Sequence, residues 1–367
     1  MENNYIEIIM SIITYTVKLT ERLITLQENR SKTLLHRKVR FEIILPLAIV
    51  ILIASFVLSL IVGAKNIDIH TVWQSIFHYT PDEVSHEVIR EIRAPRAVMA
   101  ALVGAYLGIS GAVMQALTKN PLAEPSLLGV SHGAAFALVL SLTIFPGLSM
   151  TGTAAASMVG AGLAVLFVFM LSTLSKGGAT PVKLALAGMA TAMFLSSLTT
   201  SMALYFDVTK NISFWYAGGL ANSSWEGVRL LAIIGLVGMI LVLLLARSLT
   251  LLNLGNDVTK GLGINLTLVR GLGIFAVLLL TGSSVAVSGT IGFIGLVIPH
   301  ISRMLIGVDY RKLLPLSAVL GSVLLLLADI ASRMINPPYE TPVGVLTALI
   351  GVPFFLYLVR TEGGRLS

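Results

Sequence analysis

The sequence has no cysteine, and only 12% of its residues are charged. The first absence excludes a disulfide framework, a thiolate metal site and a cysteine nucleophile. The second leaves too little polar surface for a soluble globule, since 56% of the 367 residues are hydrophobic and mean hydropathy is +0.90. No G-x-x-x-x-G-K-[ST] stretch occurs, so the chain does not bind and hydrolyse ATP through a phosphate loop of its own. Paired acids or a Ser/His/Lys set at mid-span depth, which an intramembrane hydrolase needs, are missing as well, and no catalytic residue is assigned. His86-Glu87 is not followed by a histidine at zinc-helix spacing, and His132 and His300 stand at separate helix starts, so no metal ligand is assigned either. The net charge of +7 is spread over loops without interleaved aromatics, which argues for bilayer topology and against nucleic acid.

What the chain does have is apolar runs of about 20 residues separated by polar or Gly/Pro breaks. They predict an all-α polytopic membrane protein with ten spans near 43–62, 94–117, 125–145, 153–174, 183–205, 226–246, 270–290, 293–306, 313–334 and 342–359. The membrane domain is then 43–360. Residues 1–42 form an N-terminal extension with an amphipathic stretch, Tyr5 to Leu26, and a basic cluster of Arg30, Lys32, Arg37, Lys38 and Arg40. Its positive residues follow the apolar segment, which is not the order of a signal peptide. With the N-terminus inside, most of the 25 lysines and arginines fall in or beside inner loops, so the positive-inside rule puts both the extension and the tail 361–367 in the cytoplasm. A shift of 178 positions lays Gly104 on Gly282, Ser110 on Ser288, Gly111 on Gly289, Pro121 on Pro299 and Gly129 on Gly307. Spans 2–5 and 7–10 then read as an inverted repeat.

The richest stretch runs from Arg93 to Gly133. Pro95 favours a helix start, and Gly104, Gly108 and Gly111 share one face where a second helix can approach backbone to backbone. Arg93 and Arg96 sit at a helix N-terminus, on the side where the positive-inside rule disfavours cations. Something must offset both penalties, either lipid phosphate or a docking acid from another protein. Asp329 lies inside a span with Arg333 four residues on, so a local ion pair accounts for both better than a proton relay does. The inner loop from Ser248 to Val269 sets Leu249, Leu251, Leu252 and Leu254, then Val258 and Leu262, among Gly255, Gly261 and Gly263. It reads as two short helices lying across the membrane surface, which a cytoplasmic partner could grip.

At these residues the sequence resembles the permease subunit of type II ABC importers, the iron-siderophore, haem and cobalamin permease family. The matching segments are IRAPR at 92–96, GAYLGISGAVMQALTKNPLAEPSLLGVSHGA at 104–134, LNLGNDVTKGLG at 252–263, VSGTIGFIGLVIPHISRMLIGVDYRKLLPLSA at 287–318, LLLLADIASR, and ETPVGVLTALIGVPFFLYLVR ending at 360. The resemblance implies a ten-helix subunit that pairs with a second permease, a copy or a relative. Two cytoplasmic ATPases and an extracytoplasmic binding protein complete the complex. It implies a path lined mostly by the fifth and tenth spans, and docking of binding-protein glutamates on Arg93, Arg96 and Arg333. It also implies ATPase contact through Leu254, Gly255, Asn256, Asp257, Leu262 and Gly263 in coupling helices at about 250–268. There the sequence departs from the family, with Asn256 where an acid is usual and Thr259 where alanine is usual. No cofactor is expected on this chain, and ATP and magnesium belong to the partner ATPase. The cargo implied is an iron chelate, a ferric siderophore first, with haem and cobalamin as alternatives. An ion-coupled secondary transporter is the reading from a different class.

Overall fold

The computed structural model describes residues 41–63, 66–174, 181–336 and 339–362. Most of the N-terminal extension with its basic cluster, and all but the start of the tail, lie outside the described residues. The chain divides into two compact units, Met1–Ile43 and Ile44–Ser367. Of the first, only the opening residues of a helix are described. No strand occurs among the described residues.

Helix α1 (Phe41–Ile61) is followed by two short helices, α2 (Ile69–Phe77) and α3 (Val84–Glu87), and then by a π-helical turn, Val88–Arg93. α4 (Ala94–Thr118) leads through a 3-10 turn at Pro125–Leu128 into α5 (Val130–Ile144), α6 (Met150–Leu174) and α7 (Pro181–Tyr205). The short α8 (Thr209–Ala217) precedes α9 (Trp225–Leu252), α10 (Asn256–Gly261) and α11 (Leu266–Ser288). The chain closes with α12 (Ile294–Ile306), α13 (Tyr310–Met334) and α14 (Val343–Glu362). The starts follow local chemistry: side-chain oxygens of Asp68, Ser224, Asn265 and Asp309 accept first-turn amides of α2, α9, α11 and α13. α11 and α12 stop at Gly289 and Gly307, which take φ of +67° and +87°, a region open to glycine at little cost.

Seven of these helices are long and apolar enough to cross a bilayer, and three apolar ones, α5, α12 and α14, are shorter. Together they supply the ten spans, each within a few residues of its sequence-predicted limits. α4 is the axis: in its most apolar window 78% of residues are buried, against 22% in α1 and 17% in α7. Large apolar side chains such as Leu47, Val50 and Ile53 on α1 therefore face outward, where lipid is the solvent.

The long-short-long order of α4–α6 returns in α11–α13, each followed by one more apolar helix, α7 and α14. The contacts return with it: α4 lies against α13 as α11 lies against α6, and α5 lies on α6 as α12 lies on α13. The two sets are five spans apart, an odd number, so they cross in opposite directions. The repeat is one of elements and not of the 178-residue register. Gly111 is inside α4 whereas Gly289 caps α11, and Pro121 is in a loop whereas Pro299 is inside α12.

The segment expected to hold two surface helices contains one. Residues 250–252 continue α9, because Leu249 and Leu252 bury against the bundle, and residues from Leu266 already belong to α11. Only the six residues of α10 form a separate helix.

Candidate functional site

The three arginines of the sequence reading meet at one end of the bundle, where α1 finishes and α4 begins. All are buried, with Arg93 and Arg333 8% exposed and Arg96 5%. The π turn before α4 makes an i→i+5 step, with the Ala94 amide bonded to the Ile89 carbonyl, just where Arg93 must turn inward. Arg93 Nη1 donates to the carbonyls of Leu60 at 2.7 Å and Ile61 at 2.8 Å. Arg333 Nη1 donates to the carbonyls of Ser59 and Val62 at 3.2 and 3.0 Å, and its Nη2 to Ser59 Oγ at 2.9 Å. These acceptors belong to the last turn of α1, whose carbonyls have no partner within their own helix. Two guanidiniums thus cap the negative end of a helix dipole, which for Arg93 offsets its poor placement at the start of α4.

Asp329, 0% exposed, ties the cluster together. Arg96 Nε donates to its Oδ1 at 2.9 Å, with Nη2 at the same distance, while Arg333 Nη2 lies 3.1 Å from Oδ2. The local Asp329 to Arg333 pair is therefore present, and a guanidinium from 233 positions away shares it. Arg96 has a second acid. Its Nη1 donates to Glu340 Oε1 at 2.6 Å, and the Glu340 side chain is 43% exposed. Nothing in the sequence pointed to Glu340, which stands in the connection between α13 and α14.

Arg96 and Glu340 also form one corner of a cavity of about 600 Å³, lined in addition by Asn211, Phe214, Trp215 and Asn222. One wall is the place where α8, α11 and α14 meet without regular structure. There the Gly219 amide donates to the Ser288 carbonyl at 2.9 Å, the Thr290 amide to Trp215 at 3.3 Å, and the Gly344 amide to Gly218 at 3.3 Å. Backbone that leaves the helix in such a place must be satisfied by its neighbours, and here each end supplies the other. Gly218 and Gly289 both have φ of +67°, and a Cβ on either would overlap a facing carbonyl.

The glycine stripe lies deeper. Gly104 stands against the Gly321 carbonyl, Gly108 against that of Ser317 and Gly111 against that of Gly295, so a Cβ at any of the three would run into backbone of α13 or α12. Below it, Glu124 reaches the start of α12: its Oε1 accepts the Phe293 amide at 3.1 Å, and Phe293 itself has φ of +68°. Burial pushes the Glu124 carboxyl above its ordinary range, while hydrogen bonds from the Phe293 amide and Ser126 act the other way.

The remaining predicted residues gather at the opposite end, around α10. Leu254, Val258 and Leu262 are 61%, 50% and 58% exposed at four-residue spacing, an apolar stripe left half-open among the described residues. Asp257 is exposed beside them, Asn256 is the first residue of α10, and Gly255 and Gly263 take φ of +112° and +79° at its two ends. Thr259 is fully buried, its hydroxyl donating to the carbonyls of Leu251 at 2.9 Å and Gly255 at 2.6 Å, so it locks α10 to the end of α9. Among the described residues no group of three His, Asp or Glu side chains is placed to hold a metal ion.

The chain is 53% identical over 322 residues to the iron(3+)-hydroxamate import system permease protein FhuB of Bacillus subtilis, covering 86% of this chain and 84% of that one. It is 43% identical to the iron-uptake system permease protein FeuB of the same organism, over 85% of this chain and 93% of the relative. Among solved structures, an inward-facing conformation of a metal-chelate type ABC transporter matches with a TM-score of 0.77 and 33% identity, over 87% of this chain and 99% of that one. Residues 51–361 match the model of the FecCD transport family, and the chain belongs to that family.

Proposed function

We propose that the chain is the membrane-spanning subunit of an ATP-driven importer that carries a ferric siderophore, of the hydroxamate type, across the cytoplasmic membrane. The observation that carries this is the similarity to the Bacillus subtilis hydroxamate permease across nearly the whole membrane domain. The working complex contains a second permease, a copy or a relative, two cytoplasmic ATPases that use ATP and magnesium, and an extracytoplasmic binding protein. The sparsely buried α7 offers a face for the second permease, and the stripe of Leu254, Val258 and Leu262 offers one for an ATPase. The distribution of basic residues favours cytoplasmic termini, with the arginine cluster outside. There an acidic side chain of the binding protein engages the corner of Arg93, Arg96 and Arg333. Movement of α10 by the ATPase then shifts the dimer between outward and inward openings, a change of helix contacts that needs no side-chain chemistry.

Uptake of radioactive iron presented as a hydroxamate siderophore tests the reading. A deletion strain should lose that uptake, and in the complemented strain vanadate should stop it while collapse of the proton gradient should not. Unimpaired hydroxamate-iron uptake in the deletion strain would refute the cargo, and vanadate-insensitive, gradient-dependent uptake would refute the engine. For docking, reversal of Arg93, Arg96 and Arg333 to Glu should abolish binding of the binding protein to an assembled complex.

A further inference from the structure

Arg96 holds two carboxylates that differ in what could replace them. Asp329 is 0% exposed, comes from the interior of α13 and is shared with Arg333. Glu340 is 43% exposed and reaches the guanidinium from the open side. The segment that carries it continues as Thr341, Pro342 and Val343, and these line the cavity together with Arg96. Among the described residues between α13 and α14, the Thr341 amide also donates to the Ser332 carbonyl at 3.2 Å. The Glu340 contact is thus one of the ties that hold this wall in place.

We propose that the outer edge of Arg96 is a carboxylate-binding site, that Glu340 is its occupant in this conformation, and that an acidic side chain of the docking protein exchanges with Glu340. The proposal rests on the docking reading above and refines it. A carboxylate already sits on Arg96 at 2.6 Å, so the geometry for accepting one from that side exists. Arg93 and Arg333 both donate to the end of α1, whereas Arg96 holds a carboxylate, that of Glu340, which is itself partly exposed. Asp329 keeps the buried guanidinium paired while one carboxylate replaces another on its outer edge, so the swap never leaves an unpaired buried charge. Once displaced, Glu340 no longer ties its segment down and the cavity mouth widens. Docking and opening become one event.

The absence of native cysteine makes the test direct. Ser288 lines the cavity and is 3% exposed, so Ser288→Cys places a single thiol behind the wall. In the assembled transporter in nanodiscs, the rate at which this thiol reacts with a charged methanethiosulfonate is read from the mass of this chain, so thiols of the other subunits do not count. Glu340→Gln should raise the rate several-fold with no change in melting temperature, and Asp82→Asn, on the exposed stretch before α3, should not. Excess binding protein should raise the rate with Glu340 present and add nothing in Glu340→Gln. An unchanged rate in Glu340→Gln overturns the exchange even where Arg96→Gln weakens docking. Docking indifferent to Arg96→Gln overturns the docking reading itself, and the exchange with it.

Discussion

Replacing Asp329 by Asn probes the arginine cluster at its centre. The side chain keeps its shape, and Oδ1 can still accept from Arg96 Nε, but the atom facing Arg333 Nη2 at 3.1 Å becomes an amide donor. Arg96 retains Glu340, whereas Arg333 loses its carboxylate and retains neutral acceptors, Ser59 and Val62 at the end of α1 and the backbone carbonyl of residue 329. Removing one partner of a buried pair costs roughly 3–5 kcal/mol, and since only one of two guanidiniums loses its carboxylate the lower figure applies, about 3 kcal/mol. Asp329→Leu removes the acceptor of Arg96 as well and belongs at the upper figure. At roughly 2–4 °C per kcal/mol the melting temperature of the purified complex should fall by about 6–12 °C for the Asn variant. The double variant Asp329→Asn with Arg333→Gln should lose less than the two single losses added together, because the second change removes the charge that the first left bare. A melting shift for Asp329→Asn no larger than that of the exposed Asp82→Asn would refute the reasoning.

Three further outcomes follow from other parts of the molecule. Gly111→Ala puts a methyl group into the Gly295 carbonyl and should abolish the folded, detergent-extractable protein, while Gly271→Ala, with open space around its Cβ, should be stable or gain up to about 1 kcal/mol in thermal unfolding. Glu124 has a folded-state carboxyl raised by burial, so the native state holds its proton more firmly than the unfolded chain does, and stability falls as pH rises above the ordinary carboxylate range. Glu124→Gln, which can still accept the Phe293 amide, should therefore melt higher than the wild type by a margin that grows between pH 5 and pH 8, and a margin that shrinks with pH would contradict the assigned burial. Leu262→Asp on the exposed stripe beside α10 should leave melting within about 0.5 kcal/mol of wild type yet prevent co-purification of the ATPase, and retained co-purification would remove the stripe from the interface.

The ten spans were readable because each is a local property. Some 20 apolar residues in a row must cross the bilayer as a helix whatever surrounds them, so the limits from hydropathy agree with the structure to a few residues. Short elements were less legible. α10 is six residues long, and whether Thr250 to Leu252 begin it or end α9 depends on leucines that bury against the bundle, which no hydropathy count contains. The repeat was visible as an order of spans, but its residue register came from glycines that serve different ends, one inside α4 and one capping α11.

The arginine corner divides in the same way. Asp329 and Arg333 are four residues apart on one helix, so their pairing follows from helical geometry alone. That Arg96 joins them, that Arg93 turns to the end of α1 and that Glu340 closes the outer side are decided only when α1, α4 and α13 come together. Composition and period determined that this is a bundle of membrane helices with charges kept to its ends. Tertiary structure decided which charges meet, because in a low-dielectric interior a guanidinium goes wherever acceptors without other partners are waiting, and those lie tens to hundreds of residues away.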